Sequence, residues 1–260
     1  MKVTSNGIQL YVKDQGSGTP ALVFLHYWGG SSRTWDDVVA ALPAEYRTVV
    51  PDLRGWGDSD APASGYALAD FADDAQGLIA ALEIQQYVLV GHSMGGKIAQ
   101  SLASRRPRGL IGLALVAPSP PVPLALPPEV REAMLGAYDS RESVGMAIDQ
   151  MLSAKTLSAK HREQVIGDSL GGARQAKMAW PTSTSLEDIT GVVGSIDVPV
   201  IVIAGELDRI DSVATLEAEL LTRIPHATLR VVPGTGHLSP LESPVDVASM
   251  IHEFVVTLPD

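Results

Sequence analysis

Apolar positions follow two rhythms along this chain. Ile8–Lys13 alternates apolar and polar residues, the pattern of a half-buried edge strand. After the Gly16-Ser17-Gly18 turn, Ala21–Leu25 is apolar throughout, as in a strand covered on both faces and parallel to its neighbours. Strands are then predicted at Thr48–Val50, Tyr87–Val90, Leu110–Val116, Val200–Ala204 and Thr228–Val232. Helical periodicity lies between them, at Leu68–Leu82, Lys97–Arg105, Val213–Arg223 and Pro244–Thr257. This alternation predicts an α/β fold, a mostly parallel central sheet flanked by helices on both faces.

The rhythm breaks between residues 118 and 196. Pro118, Pro120, Pro121, Pro123, Pro127 and Pro128 fall within eleven residues, a density that excludes regular helix or central strand. Helical patterns follow at Pro128–Tyr138, Ser143–Leu152 and Ser158–Leu170. An insertion this long between two strands exceeds an ordinary connection. It is expected to form a helical lid over the carboxyl ends of the strands, where open α/β sheets bind ligands. The expected division is a core of residues 1–117 and 197–260 and a lid of residues 118–196. The alternative is a packing subdomain that does not touch substrate.

Composition narrows the function classes. The 260 residues are 45% hydrophobic and 19% charged, ordinary for a globular protein. A net charge of −11 with no basic cluster repels polyphosphates, so nucleic acid is not an expected partner. The absence of cysteine excludes disulfides, thiolate metal sites and a cysteine nucleophile. The N-terminal segment has no secretory apolar stretch, and no run approaches the ~18 apolar residues of a membrane span. A cytoplasmic protein that does not engage a membrane is expected. No heptad pattern is present, which leaves a monomer or a homodimer joined through an apolar lid face.

The chemistry gathers where predicted strands end. Gly91-His92-Ser93-Met94-Gly95 fits G-x-S-x-G between a strand and a helix. Such a turn presents its serine at the tip, and the residues two before and two after must be small for the backbones to approach. The following helix N-terminus aims N–H groups at that serine. The same stretch, read through Gly96-Lys97, also fits G-x-x-x-x-G-K of a phosphate loop, but Ile98 stands where magnesium binding needs Ser or Thr.

A serine needs a base. His237 follows the last predicted strand in a glycine-rich loop, whereas His161, His226 and His252 lie among polar surface positions. His92 is expected to point away from the serine, and His26 to hold a loop at the edge of the pocket. Asp208, after the strand Val200–Ala204, is the expected partner of His237; its rivals Glu206 and Asp211 read as solvated loop charges. In the chain these residues run in the order Ser93, Asp208, His237. The Met94 N–H directly after the nucleophile is one oxyanion donor, and the other should come from the loop Tyr27-Trp28-Gly29-Gly30. Asp52, Arg54 and Asp58 read as a structural turn.

Taken together, these motifs resemble the α/β-hydrolase superfamily, in its small esterase, perhydrolase and cofactor-free haloperoxidase-like branch. Pro51-Asp52-Leu53-Arg54-Gly55-Trp56-Gly57-Asp58-Ser59 and Leu241-Glu242-Ser243-Pro244 are similar to patterns of that branch, and the likeness covers nearly all of residues 8–257. The resemblance implies Trp28 N–H as the second oxyanion donor. It also implies a lid whose methionines line an acyl pocket, so that Met134, Met146, Met151, Met178 and Trp180 are either pocket wall or plain core. One departure stands out: the branch usually has glycine after the first loop histidine, and this chain has Tyr27. Its ring either packs aside or brings its hydroxyl to the substrate.

The expected function is a serine hydrolase of small to medium carboxylic esters or lactones, acting through an acyl-enzyme with no cofactor and no metal. C–C bond hydrolysis, perhydrolysis and cofactor-free lyase or oxygenase chemistry are the alternatives, followed by a ligand receptor with little turnover.

Overall fold

The computed structural model describes residues 1–259. Eight strands form one sheet in the order β1-β2-β4-β3-β5-β6-β7-β8. They are β1 (Lys2–Ser5), β2 (Ile8–Gln15), β3 (Ala21–Leu25), β4 (Arg47–Pro51), β5 (Tyr87–His92), β6 (Leu110–Val116), β7 (Val200–Gly205) and β8 (Thr228–Val232). β1 and β2 pair antiparallel, as do β2 and β4, and all later pairings are parallel.

The unbroken apolar runs have a direct cause. Along β3, Ala21, Val23 and Leu25 join the apolar layer on one face, while Leu22 and Phe24 join the layer on the other. A strand with helices on both sides has no polar face to show. α1 (Asp36–Ala41) and α11 (Pro244–Val255) cover one face; α2 (Leu68–Ala81) and α3 (Met94–Ala103) cover the other.

The segment between β6 and β7 carries α4 (Pro128–Gly136), α5 (Arg141–Ala147), α6 (Ala159–Gly171), α7 (Arg174–Thr182) and α8 (Thr190–Val193). Its proline-rich start has no helix until Pro128, which takes the first helical turn, where a missing N–H costs nothing. After β7 come α9 (Val213–Leu216) and, beyond β8, α10 (Ser239–Glu242).

Several expected boundaries shift. β1 is a four-residue edge strand too short to announce itself. The helix expected over Val213–Arg223 is α9 followed by a wider π-type turn at Glu217–Leu221, and α5 runs into a similar turn at Ile148–Leu152. Two apolar anchors per turn are satisfied by either geometry, so periodicity does not separate them. Among the described residues, no helix is long and apolar enough to cross a membrane.

Candidate active site

Ser93 occupies the junction of β5 and α3 with φ 54° and ψ −114°, a region that side-chain-bearing residues rarely visit. The strain is held from both sides. A Cβ on Gly91 would collide with the Gly95 carbonyl, and one on Gly95 with the Leu25 carbonyl. The turn therefore sits against the end of β3, and the serine is tipped away from the sheet. The Ser93 N–H donates to Val116 O (3.2 Å), and its carbonyl accepts from Lys97 N (3.1 Å) and Ser119 N (3.1 Å).

The loop after β8 delivers His237 and the loop after β7 delivers Asp208. His237 Nε2 lies 2.8 Å from Ser93 Oγ, and His237 Nδ1 lies 2.8 Å from Asp208 Oδ2. A carboxylate accepts, so Nδ1 carries the proton and Nε2 accepts from the serine hydroxyl. The other Asp208 oxygen accepts from the N–H groups of Ile210 (2.8 Å) and Asp211 (3.1 Å). Burial works against the His237 imidazolium, yet the charge and hydrogen bond of Asp208, with Asp211 and Glu242 beyond, outweigh it. The ring is held above its ordinary value. The sequence-predicted serine, histidine and aspartate are thus brought into one hydrogen-bonded line.

The remaining histidines serve the frame. His92 Nε2–H donates to His237 O (2.8 Å), fixing the loop that carries the ring. Burial drives His92 well below the ordinary histidine value, so it stays neutral. His26 holds its loop by hydrogen bonding, as expected. It does not line the cavity; its Nδ1–H donates to Tyr27 O (2.8 Å) and its Nε2 accepts from Leu53 N (3.0 Å), with burial lowering its pKa to about 4. His161 is half-buried against Asp37 (2.7 Å) rather than solvated, His252 faces Tyr46 Oη (2.8 Å), and exposed His226 donates to Val198 O (3.0 Å). Asp52 anchors a turn through Ser32 N (2.6 Å) and Asp58 N (2.8 Å), and Arg54 forms a buried pair with Asp74.

A cavity of about 680 Å³ opens above Ser93 and His237. Tyr27, Trp28, Met134, Met146, Met151 and Trp180 all line it, whereas Met178 does not. Met146 and Met151 are 49% and 42% exposed, which places them on the cavity's outer wall. Tyr27 needs no positive φ, so the usual glycine is dispensable there; the ring packs 5.1 Å from that of His92, centre to centre.

Positive φ falls instead on Gly29 (95°), where a Cβ would strike the Tyr138 ring. Met94 opens α3, so its N–H has no intrahelical acceptor and points toward the serine end of the helix.

The loop bearing Trp28 is tied from above. Tyr138 Oη donates to Trp28 O (2.8 Å), Ser169 Oγ to Gly29 O (3.0 Å), and Ser31 Oγ to Asp168 (3.0 Å). Trp28 Nε1 in turn donates to Lys177 O (3.2 Å). Sequence reasoning missed these ties, because a tyrosine and a serine on exposed-looking helices carry no motif.

Asp211 also departs from expectation: it is 2% exposed, not solvated, and it lines the cavity. Glu206 remains at the surface, accepting from Gly234 N (2.7 Å). Among the described residues, no group of three or more His, Cys, Asp or Glu is placed to hold a metal ion.

Comparison with known proteins agrees with this geometry. A family model described as "Alpha/beta hydrolase family" matches residues 22–250. A non-heme haloperoxidase of Rhodococcus erythropolis is 30% identical over 249 residues, 90% of each chain. The solved esterase of Exiguobacterium antarcticum superposes with a TM-score of 0.90, covering 98% of both chains; at 24% identity this likeness speaks for the fold. A thermophilic esterase from Thermogutta terrifontis gives a TM-score of 0.85 at 26% identity, covering 99% of this chain and 98% of that one.

Proposed function

The chain belongs to the alpha/beta hydrolase family of enzymes, in its haloperoxidase-like branch, and on that premise we propose that it hydrolyses small to medium carboxylic esters or lactones through an acyl-enzyme. The observation that carries this reading is the Ser93–His237–Asp208 line on the floor of a mainly apolar cavity.

Ser93 Oγ attacks the carbonyl carbon while its proton passes to His237 Nε2. The charge that develops on the carbonyl oxygen is taken by the N–H groups of Met94 and Trp28. Collapse expels the alkoxide, which leaves with the proton from Nε2. Water then gives a proton to the same nitrogen and attacks the acyl carbon, and Ser93 recovers its proton as the acid departs. Asp208 orients the ring and stabilises the imidazolium through their hydrogen bond. Residues 118–196 act as the lid of this site and residues 1–117 with 197–260 as its core, a division supported by Met134, Met146, Met151 and Trp180 in the cavity wall.

The test is release of p-nitrophenol from acetate, butyrate and octanoate esters by wild type and Ser93→Ala. Hydrolysis by wild type that the substitution abolishes supports the reading. Equal activity in both, or none in wild type, contradicts it.

Likeness to a non-heme haloperoxidase favours a second reaction of the same intermediate. Hydrogen peroxide in place of water would release a peracid from the acyl-enzyme. Peracid formation from acetate and peroxide, lost in Ser93→Ala, is its signature.

A further inference from the structure

Asp211 lines the cavity but touches no reacting atom in the reaction above. It is 2% exposed and lines the space that Ser93 and His237 also face, yet its carboxyl oxygens accept no hydrogen bond from any described residue. Its own N–H donates to Asp208 (3.1 Å), which ties it to the loop that orients His237 and keeps it beside the reacting centre.

The protein does not supply the missing partner. Besides His237, the basic side chain of the wall is Arg209, and its guanidinium donates to Gln150 O (2.8 Å) rather than to Asp211. Lys97, buried on α3, spends its ammonium on Val122 O (2.8 Å) and Ser185 O (3.2 Å). The other carboxylates of the wall, Glu129 and Glu132, are exposed at the rim and add charge of the same sign. Burial, with the Asp208 charge adding to it and His237 and Lys97 opposing, raises the Asp211 carboxyl to about 7. A buried acid facing a mainly apolar cavity is unfavourable unless something donates to it.

We propose that Asp211 is a substrate-recognition residue, accepting a hydrogen bond from a hydroxyl or protonated amine that the substrate carries close to its scissile carbonyl. The proposal rests on the acyl-transfer reading of Ser93 and names the substrate class of that site: esters bearing a hydrogen-bond donor rather than a plain alkyl chain. A site built around a polar partner discriminates strongly against the analogue that lacks it, because the buried group is then left unpaired.

The experiment compares kcat/KM for p-nitrophenyl butyrate, 3-hydroxybutyrate and 3-aminobutyrate in wild type, Asp211→Asn and Asp211→Val. Wild type should prefer one or both substituted esters over butyrate by roughly tenfold or more. Asp211→Val should lose that preference. Asp211→Asn keeps the shape and an accepting oxygen, so it should retain part of a hydroxyl preference and lose an amine preference. A larger effect with the hydroxyl ester identifies a neutral donor; a larger effect with the amino ester identifies a cation.

Equal efficiency on all three esters in wild type, which requires no variant to fold, overturns the assignment alone. A preference that persists in Asp211→Val does the same. No release from any ester by wild type removes the acyl-transfer reading, and this assignment with it.

Discussion

Ser93, His237 and Asp208 come from three strand ends far apart in sequence, and each was marked by a local cue. The serine was legible because Gly91 and Gly95 flank it, and the backbone contacts show why nothing larger fits. His237 and Asp208 were legible because each follows an apolar strand at the same edge of the sheet. What spacing could not tell was which nearby carboxylates are dehydrated, so Asp211 read as solvated although it is buried. For His26 the loop-holding role was legible, but not whether the ring also faces the cavity, which its two ring hydrogen bonds decide.

Two predictions belong at this scale. Asp208→Asn should reduce kcat by about 10⁴-fold, because His237 loses the anion that fixes its tautomer and stabilises its charged form. The pH profile follows from the raised His237 pKa. The base acts only when unprotonated, so kcat/KM should climb with pH through an acid limb lying above the ordinary histidine value of 6.5. Asp211→Asn removes one of the charges that hold the imidazolium and should move that limb toward lower pH. A limb that stays fixed in the variant would contradict the electrostatic account.

At the scale of elements, the strands of the sheet were read closely and the insertion only as helical character. The difference is physical. A strand covered on both faces must be apolar throughout, whereas α4 buries none of its side chains and so offers little pattern. The insertion's contribution lies in polar ties that no periodicity records, above all Ser169 and Tyr138 holding the carbonyls of the Gly29 and Trp28 loop. Ser169 does not line the cavity, so Ser169→Ala tests positioning without altering the wall. We expect kcat to fall by roughly tenfold with KM little changed, since a loosened donor is felt mainly in the transition state. A change confined to KM would argue against this role. Gly95→Ala should lower folding stability by about 2 kcal/mol or more in denaturant titration, because the added methyl meets the backbone of β3.

For the whole molecule, Lys97 is the clasp between α3 and both ends of the insertion. The phosphate-loop reading of this lysine is replaced by a structural one: its ammonium faces two carbonyls instead of a ligand. Burial lowers its pKa from 10.5 to about 8, against the pull of Glu187, Asp188 and Asp211. Between those two values the unfolded chain holds a proton that the folded chain has released. Stability should therefore rise with pH across that window, and Lys97→Met should flatten the rise. Chemical denaturation of both proteins from pH 8 to 10.5 measures it.

The account as a whole stands on Ser93 forming a covalent bond to the substrate's acyl group. Its most direct test is reaction with diethyl p-nitrophenyl phosphate, followed by intact mass and peptide mapping. The account predicts one diethylphosphoryl group per chain, on the peptide carrying Ser93, with esterase activity lost in step. No adduct, or an adduct elsewhere while activity persists, would contradict it.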